Sequence, residues 1–252
     1  MPLLSDHQKS RFDRDGFLPF EHLIDAAGIA GLRAALASLQ ARWAAELGAA
    51  VGDYVRVVSQ WTNLWESHPA FAAQLRSPIA TEIAAELIGC DRIRVFHDHL
   101  ISKPPEANGA VPWHQDYPYW PVSSPRAVSC WLALDDVTIE SGCMHFMPGA
   151  QREGEHAAVD FLNDRKEWGP RTQDIVAVPL RAGDCVFHHC LSWHTTPRNS
   201  TNLDRRAYIT ILMDAACRWD PDHSRWHPMN KRVTVVPGDV FNDDAFPVVG
   251  GR

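Results

Sequence analysis

The 252-residue chain lacks the cysteine spacing of a structural zinc site. Its six cysteines contain no Cys-x-x-Cys pair, which most such sites need. The first residues lack the apolar segment of a secretion signal, and no apolar run reaches the roughly 18 residues that a membrane span needs. We therefore expect an intracellular, cytoplasmic protein that has reduced thiols and does not bind membranes.

Clusters of positive charge are also missing. Twenty-four Lys and Arg residues stand against 31 Asp and Glu residues, which gives a net charge of −7, and no long basic run occurs. Nucleic acids and anionic membranes attract basic surfaces, so we predict neither as a partner and expect a small-molecule substrate. The chain is instead rich in His and Trp, with 13 and 10 copies.

Helical patterns dominate the first part of the chain, about residues 1–90. Apolar residues at helical spacing predict helices over residues 5–15, 25–47 and 69–88. Ser5 is a suitable N-cap for the first helix, and a glycine follows each of the three. The segment G-F-L-P-F, after the first helix, predicts a short strand.

From Arg92 the sequence becomes β-like. Runs bounded by turn residues predict strands within residues 92–103, 126–136, 142–149, 175–180, 181–190 and 205–213, and a Gly-Asp turn joins the fourth and fifth of these. Residues 151–174 form a polar insertion, and the segment from residue 219 to 252 is predicted to be loop. Many short strands favour a sandwich, barrel or jelly roll. We expect one domain over 1–252, with a β core at about 91–218 and a loop-rich tail.

One stretch, V-P-W-H-Q-D-Y-P-Y-W at residues 111–120, has the composition of a metal site. His114 and Asp116 stand two positions apart, and residues i and i+2 of a strand face the same side. An imidazole and a carboxylate can then reach one metal ion. A His-x-Asp pair alone is more often a surface or hydrogen-bonded pair, so a metal site requires a third ligand.

Several histidines are candidates for that third ligand. His188 and His189 lie on one predicted strand and face opposite sides, so at most one faces the core. The other candidates in the β region are His97, His99, His145 and His194, whereas His223 and His227 in the tail are expected to be solvated.

Two imidazoles and one carboxylate form the facial triad of non-haem Fe(II) oxygenases. A 2-oxo acid that chelates such an iron also needs a cation for its far carboxylate, and an arginine fork suits a carboxylate best. Arg205 or Arg206, at the start of a predicted strand, can supply that cation.

These segments, in their order, resemble the phytanoyl-CoA dioxygenase family of Fe(II)/2-oxoglutarate oxygenases from about Phe12 to the tail. The resemblance rests on F-D-R-D-G-F-L, H-D-H-L-I-S-K-P-P, W-H-Q-D-Y-P-Y-W, S-C-W-L-A-L-D-D-V-T-I-E-S-G-C-M-H-F-M-P-G and G-D-C-V-F-H-H-C-L-S-W-H-T-T-P-R-N-S-T-N-L-D-R-R-A-Y. One departure is P-G-A-Q-R, which replaces the more usual P-G-S-H in a turn.

The resemblance implies a role for particular residues. His114, Asp116 and His194 would bind iron, and Arg205 rather than Arg206 would pair with the distal carboxylate of 2-oxoglutarate. Three further residues would contact this cosubstrate: Thr196 beside its carboxylate, Trp131 in the pocket wall, and His99, where the family often has Gln or Met. The implied fold is mainly β with flanking helices, a cupin-like double-stranded β-helix or jelly roll.

The resemblance also implies the reaction and its cofactors, which are Fe(II), 2-oxoglutarate and dioxygen. We expect hydroxylation of an unactivated C–H bond of a small metabolite or natural-product intermediate, with decarboxylation of 2-oxoglutarate to succinate. Desaturation, cyclisation or epoxidation are alternatives from the same site, and a metal-dependent isomerase or a non-catalytic cupin-like binding protein is less favoured. The rings at positions 113, 117, 119 and 120 indicate either an apolar or cyclic substrate or a packed barrel core.

Overall fold

A computed structural model describes residues 2–57, 60–105, 109–161 and 174–251. The helices are α1 (Asp6–Asp15), α2 (Ala26–Glu46), α3 (Val51–Val57), α4 (Leu64–Ser67), α5 (Pro69–Leu75) and α6 (Pro78–Ile88). The strands are β1 (Phe17–Phe20), β2 (Gln60–Thr62), β3 (Arg92–Lys103), β4 (Val111–His114), β5 (Ala127–Ala133), β6 (Met144–Phe146), β7 (Val176–Val178), β8 (Cys185–His189), β9 (His194–Thr196), β10 (Arg205–Asp214) and β11 (Val248–Gly251).

The first two predicted helices are confirmed, together with their local end signals. Ser5 and Gln8 form a reciprocal capping box at the start of α1, and Gly16 ends it with a left-handed φ of 82°. The Asp25 side chain accepts a hydrogen bond from the backbone N–H of Gly28 and so caps α2. No helix in the described part of the chain is long and apolar enough to cross a membrane.

The prediction of one helix over residues 69–88 is wrong, because the chain forms α5 and α6 there. Pro78 starts α6, and Ser77 before it has an extended ψ of 118°. The ring of a proline disfavours helical backbone at the residue before it, so a proline in the middle of an apolar helical pattern divides that pattern. The short elements α3, β2 and α4 were not predicted, since each is too short to show a period.

The strands form two sheets whose paired strands are antiparallel. The large sheet has the order β1-β8-β5-β10-β3-β11, with β2 also pairing with β3, and the small sheet has the order β4-β9-β6-β7. Two expectations from the sequence are wrong. The strands on either side of the Gly-Asp turn, β7 and β8, belong to different sheets, and the tail contains β11, which pairs with residues 92–94 of β3.

Side-chain alternation in β10 separates two cores. Tyr208 and Leu212 point towards the helices and join one buried cluster, while Ala207 and Ile209 point towards the small sheet and join another. The helices therefore cover the outer face of the large sheet, and its inner face lines the space between the sheets. This curled arrangement confirms the predicted jelly roll with flanking helices.

Gly142, before β6, occupies a position that excludes a side chain. Its φ is 81°, and a Cβ there would collide with the carbonyl oxygen of Pro197 and lie 3.0 Å from that of Arg198. We expect Gly142→Ala to lower the free energy of unfolding by about 2–4 kcal/mol, from backbone strain and overpacking. Gly31→Ala is the matched control, because no atom lies within 4 Å of a Cβ at that position in α2. This variant is expected to raise the free energy of unfolding by about 0.5–1 kcal/mol. Urea unfolding of both variants measures the difference, and equal stability would contradict the assignment.

Candidate active site

Three side chains predicted to bind a metal come together at one edge of the small sheet. His114 ends β4, His194 begins β9, and the two residues are paired in register with ring centroids 4.1 Å apart. One potential ligand atom from each of these histidines and from Asp116 lies within 4.8 Å of the others. The fold thus joins ligands that lie far apart in the sequence.

Asp116 reaches this cluster from a turn, and the expectation that it shares a strand with His114 is wrong. Strand β4 ends at His114, and Asp116 has helical backbone angles of φ −75° and ψ −42° just before the 3₁₀ helix Tyr117–Tyr119. The backbone N–H groups of Asp116 and Tyr117 both donate to the carbonyl oxygen of Cys190, at 3.0 Å each. This turn directs the carboxylate back towards the histidines.

Backbone carbonyls orient both imidazoles of the cluster. Nδ1 of His114 lies 2.8 Å from the Pro112 carbonyl oxygen, and Nδ1 of His194 lies 3.0 Å from that of Ser192. A carbonyl oxygen only accepts, so each Nδ1 carries the proton and each Nε2 offers a lone pair. These Nε2 atoms lie 3.6 Å and 3.7 Å from Oδ1 of Asp116, close enough for all three atoms to bind one ion.

Burial and mutual charge set the protonation of the cluster. Burial lowers the pKa of His114 and of His194, so both imidazoles are neutral. Burial by itself would raise the pKa of Asp116, but attraction to a proton on His194, the hydrogen bond and charge of His188, and attraction to a proton on His114 outweigh it and hold that pKa well below its usual range. Neutral imidazoles and an ionised carboxylate are the forms that bind a divalent cation.

The second oxygen of Asp116 is held by two residues whose roles the sequence did not reveal. Ser129 donates its hydroxyl to Oδ2 at 2.8 Å, and Nε2 of His188 lies 3.2 Å from the same atom. His188 is buried and His189 is half-buried, which agrees with the prediction that at most one of them faces the core. Oδ1 is left to face the two histidines.

We predict that these two contacts orient the metal-binding carboxylate. Ser129→Ala and His188→Leu should each weaken Mn(II) or Fe(II) binding roughly 10- to 100-fold, the usual effect of removing a partner that orients a ligand. His188→Gln can still donate to Oδ2 and should restore much of the affinity. Anaerobic metal titration is the measurement, with Ser200→Ala as control because its hydroxyl bonds an exposed backbone carbonyl. Unchanged affinity in both Ser129→Ala and His188→Leu would refute the orienting role.

Arg205 and Arg206 differ sharply in their contacts. Arg206 forms two hydrogen bonds with the Asp135 carboxylate, at 2.8 Å and 2.7 Å. Arg205 is only 1% exposed, and its Nε and Nη2 have no partner within the described part of the chain. Its guanidinium carbon lies 5.4 Å from the Trp131 ring centroid, and burial lowers its pKa to about 10. A buried guanidinium with free donors suits a carboxylate ligand.

Lys103 is a second buried basic side chain that sequence reasoning missed. It pairs in register with Arg205, and its Nζ donates to Oγ1 of Thr196 at 2.9 Å, to the Thr196 carbonyl oxygen at 2.7 Å and to that of Pro197 at 2.7 Å. Burial, and then the charge of Arg205, lower its pKa to about 6. Since Oγ1 of Thr196 accepts from Lys103, its own proton remains available to a ligand. The K-P-P at the end of β3 was the only sequence signal for this residue.

His99 and Trp131 lie on the strands that flank β10. His99 pairs with Ile209 of β10, and its buried Nδ1 has no partner in the described part of the chain. Burial lowers the pKa of His99 to about 4, against the opposing charge of Asp116. Trp131 is buried on the inner face of β5 beside Arg205. His99 thus lies within electrostatic range of Asp116, and Trp131 lies beside Arg205.

The remaining candidates have separate surroundings. His145 is half-buried in β6, and its Nδ1 contacts the Cys143 carbonyl oxygen. The expectation that the tail histidines are solvated is wrong. His223 bonds the Trp120 carbonyl oxygen and the Glu155 carboxylate. His227 packs against His97, and their ring centroids are 5.7 Å apart. The local sequence carried no sign of this packing.

The rings of the 111–120 stretch divide between core and site. Tyr117 and Trp120 are buried in the core between the sheets. Tyr119 is half-buried, and its ring centroid lies 6.3 Å from that of His114. Core packing and a ring facing the site therefore both occur in this stretch.

The fold and the cluster define a class of protein: a jelly roll with a two-histidine, one-carboxylate metal site. Its residues fit Fe(II) and 2-oxoglutarate, because the ligand set is the facial triad of ferrous enzymes and Arg205 has donors without a partner among the described residues that can bind a carboxylate. The sequence matches the model of the phytanoyl-CoA dioxygenase (PhyH) family over residues 12–207, well over half of the chain. The chain belongs to this family.

Several curated relatives match over long alignments. Peroxisomal phytanoyl-CoA dioxygenase of Bos taurus is 24% identical over 93% of this chain and 76% of its own length. Dioxygenase lolE1 of Epichloe uncinata is 35% identical over 70% of this chain and 72% of its own. L-proline trans-4-hydroxylase of Streptomyces griseoviridis is 29% identical over 61% of this chain; here the match spans only 57% of the relative.

A solved structure resembles the fold from end to end. The non-haem α-ketoglutarate-dependent carbocyclase SnoK from nogalamycin biosynthesis superposes with a TM-score of 0.81 at 26% identity, covering 98% of this chain and 97% of its own. The epimerase SnoN from the same pathway gives a TM-score of 0.76 at 23% identity and shares the fold.

Proposed function

We propose that this protein is an Fe(II)/2-oxoglutarate-dependent dioxygenase that hydroxylates an unactivated C–H bond of a small metabolite or natural-product intermediate. The observation that carries the proposal is the buried guanidinium of Arg205, whose Nε and Nη2 have no partner among the described residues, in a fold that also brings His114, Asp116 and His194 together. A metal site alone suits many reactions. A metal site beside a buried cation with free donors is suited to a chelating ligand that also carries a distant carboxylate.

In this proposal His114, Asp116 and His194 hold the iron. The Arg205 fork and the Thr196 hydroxyl bind the distal carboxylate of 2-oxoglutarate, while Trp131 and His99 form the walls beside it. When bound, iron and 2-oxoglutarate supply the activation of dioxygen, with decarboxylation to succinate, that an unactivated C–H bond requires.

The chain's own residues prepare the site for that chemistry. Burial of Arg205 strengthens its attraction for a carboxylate, because little water competes in the pocket. Lys103 fixes the Thr196 hydroxyl, and Ser129 and His188 fix the Asp116 carboxylate, so these groups need little reordering when ligands bind. All six cysteines are free and buried, which supports work in the reducing cytoplasm.

Cyclisation is a second candidate outcome from the same site. It is favoured by the end-to-end likeness to a protein described as a carbocyclase. Desaturation and epoxidation use the same iron, cosubstrate and protein residues. The product masses separate hydroxylation or epoxidation, which adds one oxygen atom to the substrate, from cyclisation or desaturation, which removes two hydrogen atoms.

Turnover of labelled 2-oxoglutarate tests the proposal. The protein is incubated with Fe(II), ascorbate and 2-oxoglutarate, with and without a panel of small ring-containing metabolites, and succinate is measured. Slow succinate formation without substrate and faster formation with a substrate are expected, and Zn(II) in place of Fe(II) should give none. The assignment fails if Fe(II) gives no succinate, and a metal-dependent isomerase or binding protein would then explain the site.

A further inference from the structure

Five rings form a continuous arch in front of the metal cluster: Phe161, Tyr119, Trp226, His227 and His97. At one end Phe161 contacts the metal-cluster residue His114, with 5.0 Å between ring centroids. The arch continues through centroid distances of 5.2 Å, 5.8 Å, 6.1 Å and 5.7 Å, in the order given. At the other end His97 lies 5.3 Å from His99. The rings thus span from one wall of the site to the other.

Two rings of the arch are unusually exposed for their size. Trp226 is 65% exposed and Phe161 is 45% exposed, whereas the core rings Tyr117 and Trp120 are at most 6% exposed. When a ligand covers large apolar side chains that are in contact with water, the buried apolar surface favours binding. Their position points to a ligand that lies against aromatic faces and edges.

Hydrogen bonds at its base hold the arch in place. The Tyr119 hydroxyl donates to the Val159 carbonyl oxygen and accepts from the Val159 N–H, both at 2.7 Å. In the tail, His223 bonds both Trp120 and Glu155, which fixes the segment that carries Trp226. A preordered wall binds a rigid ligand with little loss of conformational entropy.

The two imidazoles of the arch offer one donor and one acceptor. Nδ1 of His227 accepts the Met229 N–H at 3.2 Å, so in the neutral ring the proton is on Nε2. Nδ1 of His97 lies 3.4 Å from the Asp98 carbonyl oxygen and can only donate to it, so its Nε2 is an acceptor. Neither Nε2 has a hydrogen-bond partner in the described ranges. A hydroxyl group, which both donates and accepts, complements this pair.

We propose that the aromatic arch binds a neutral, planar ring compound bearing a hydroxyl group, with the ring against Tyr119, Phe161 and Trp226 and the hydroxyl at His97 and His227. This assignment rests on the proposed oxygenase function, because the arch begins at His114. Burial favours uncharged imidazoles at His97 and His227, so the polar end of the arch provides no countercharge for an anionic substrate. An acyl-CoA thioester carries negatively charged phosphates that need basic groups in the protein. Lys103 is not available for them, because it already donates to three oxygens of the chain.

The test uses 2-naphthol as a neutral, hydroxylated two-ring probe. Its NMR resonances are followed with the full chain loaded with 2-oxoglutarate and either Mn(II) or diamagnetic Zn(II). Mn(II) is expected to broaden the 2-naphthol signals far more than Zn(II), which places the probe beside the metal. Two comparison probes are N-methylquinolinium, a cation of the same size, and 1-decanol, an aliphatic alcohol. Both are expected to bind at least several-fold more weakly.

Variants of the exposed rings connect the probe to the arch. Trp226→Ala and Phe161→Ala are each expected to weaken 2-naphthol binding roughly 5- to 10-fold, the effect of losing one aromatic pair. Leu203→Ala is the matched control, because that side chain is 69% exposed and is not one of the arch rings. His227→Phe keeps a ring but removes the donor. It should therefore weaken the binding of 2-naphthol more than the binding of 2-methoxynaphthalene, which has no hydroxyl group.

Succinate formation without substrate separates the two proposals. If it persists while 2-naphthol shows no Mn(II)-dependent broadening, or while Trp226→Ala and Phe161→Ala bind the probe as tightly as the original chain, the substrate assignment is wrong and the oxygenase proposal stands. Preference for N-methylquinolinium or 1-decanol would also overturn the assignment. If Fe(II) gives no succinate at all, the oxygenase proposal itself fails, and the substrate assignment fails with it.

Discussion

His194→Ala is expected to lower Fe(II) affinity by roughly 100-fold or more and to remove detectable 2-oxoglutarate turnover. Loss of a partner that only orients a ligand already costs up to about 100-fold, so loss of the ligand itself should cost at least as much. His194 and His114 supply the two neutral imidazoles of the cluster, and with one of them gone Asp116 and His114 form an incomplete site. Anaerobic Fe(II) titration and succinate release measure the two effects.

The matched control for this variant is His145→Ala. His145 lies on β6 and pairs with Thr195, next to His194, yet in the described part of the chain its Nδ1 contacts the Cys143 carbonyl oxygen and no group of the metal cluster. It is therefore a half-buried histidine in the same sheet that lies outside the cluster. Iron affinity should remain within about twofold of the original in this variant. An equal loss in both variants would indicate general damage to the sheet, and unchanged iron binding in His194→Ala would remove the metal assignment.

Arg205→Gln is expected to raise the dissociation constant of 2-oxoglutarate by roughly 100-fold or more, with Fe(II) binding unchanged. Truncating one partner of a buried, hydrogen-bonded charge pair costs about 2–5 kcal/mol, and the Arg205 side chain is almost fully buried. Arg205→Lys keeps a charge without the planar fork, so its affinity for 2-oxoglutarate should lie between those of the original chain and of Arg205→Gln. Titration of the Fe(II)-loaded protein with 2-oxoglutarate, followed by its metal-to-ligand absorption band, measures the affinity.

The neighbouring arginine supplies the control for this second variant. Arg206 donates two hydrogen bonds to Asp135 and has a raised pKa, so Arg206→Gln removes an ion pair without reaching the pocket. Its 2-oxoglutarate affinity should match that of the original chain, although its stability falls. If Arg206→Gln and Arg205→Gln lose the same affinity, or if Arg205→Gln loses none, Arg205 does not bind the cosubstrate and a function without 2-oxoglutarate becomes the better explanation.

Local signals in the sequence were sufficient for most regular elements. The capping box at Ser5, the cap at Asp25 and the alternating run of β10 each depend on residues within a few positions, and each element formed as predicted. Local reasoning failed where a local cue was overlooked or where the decisive partner was distant. Pro78 divided a helix that its apolar pattern had joined, and β11 formed because a distant strand, β3, offered a free edge.

The candidate site shows the same division. The residues of the 111–120 stretch indicated a metal ligand pair, but several histidines were open as the third ligand, and only the family resemblance singled out His194. The fold adds a physical reason, since β4 and β9 pair and bring His194 opposite His114. His188, by contrast, contacts the far oxygen of Asp116.

The sequence by itself determined the kinds of ligand, their order along the chain, the helical first part and the strand-rich remainder. Tertiary structure decided that Arg206 pairs with Asp135 while Arg205 keeps donors without a partner among the described residues. It also decided how Lys103 and Ser129 support the site, and how rings from β3, the 3₁₀ helix Tyr117–Tyr119, the insertion and the tail meet in one arch. The physical reason is that period and composition describe only near neighbours. Whether a buried charge is paired, or a ring faces a cavity, depends on segments that become neighbours only after the sheets close.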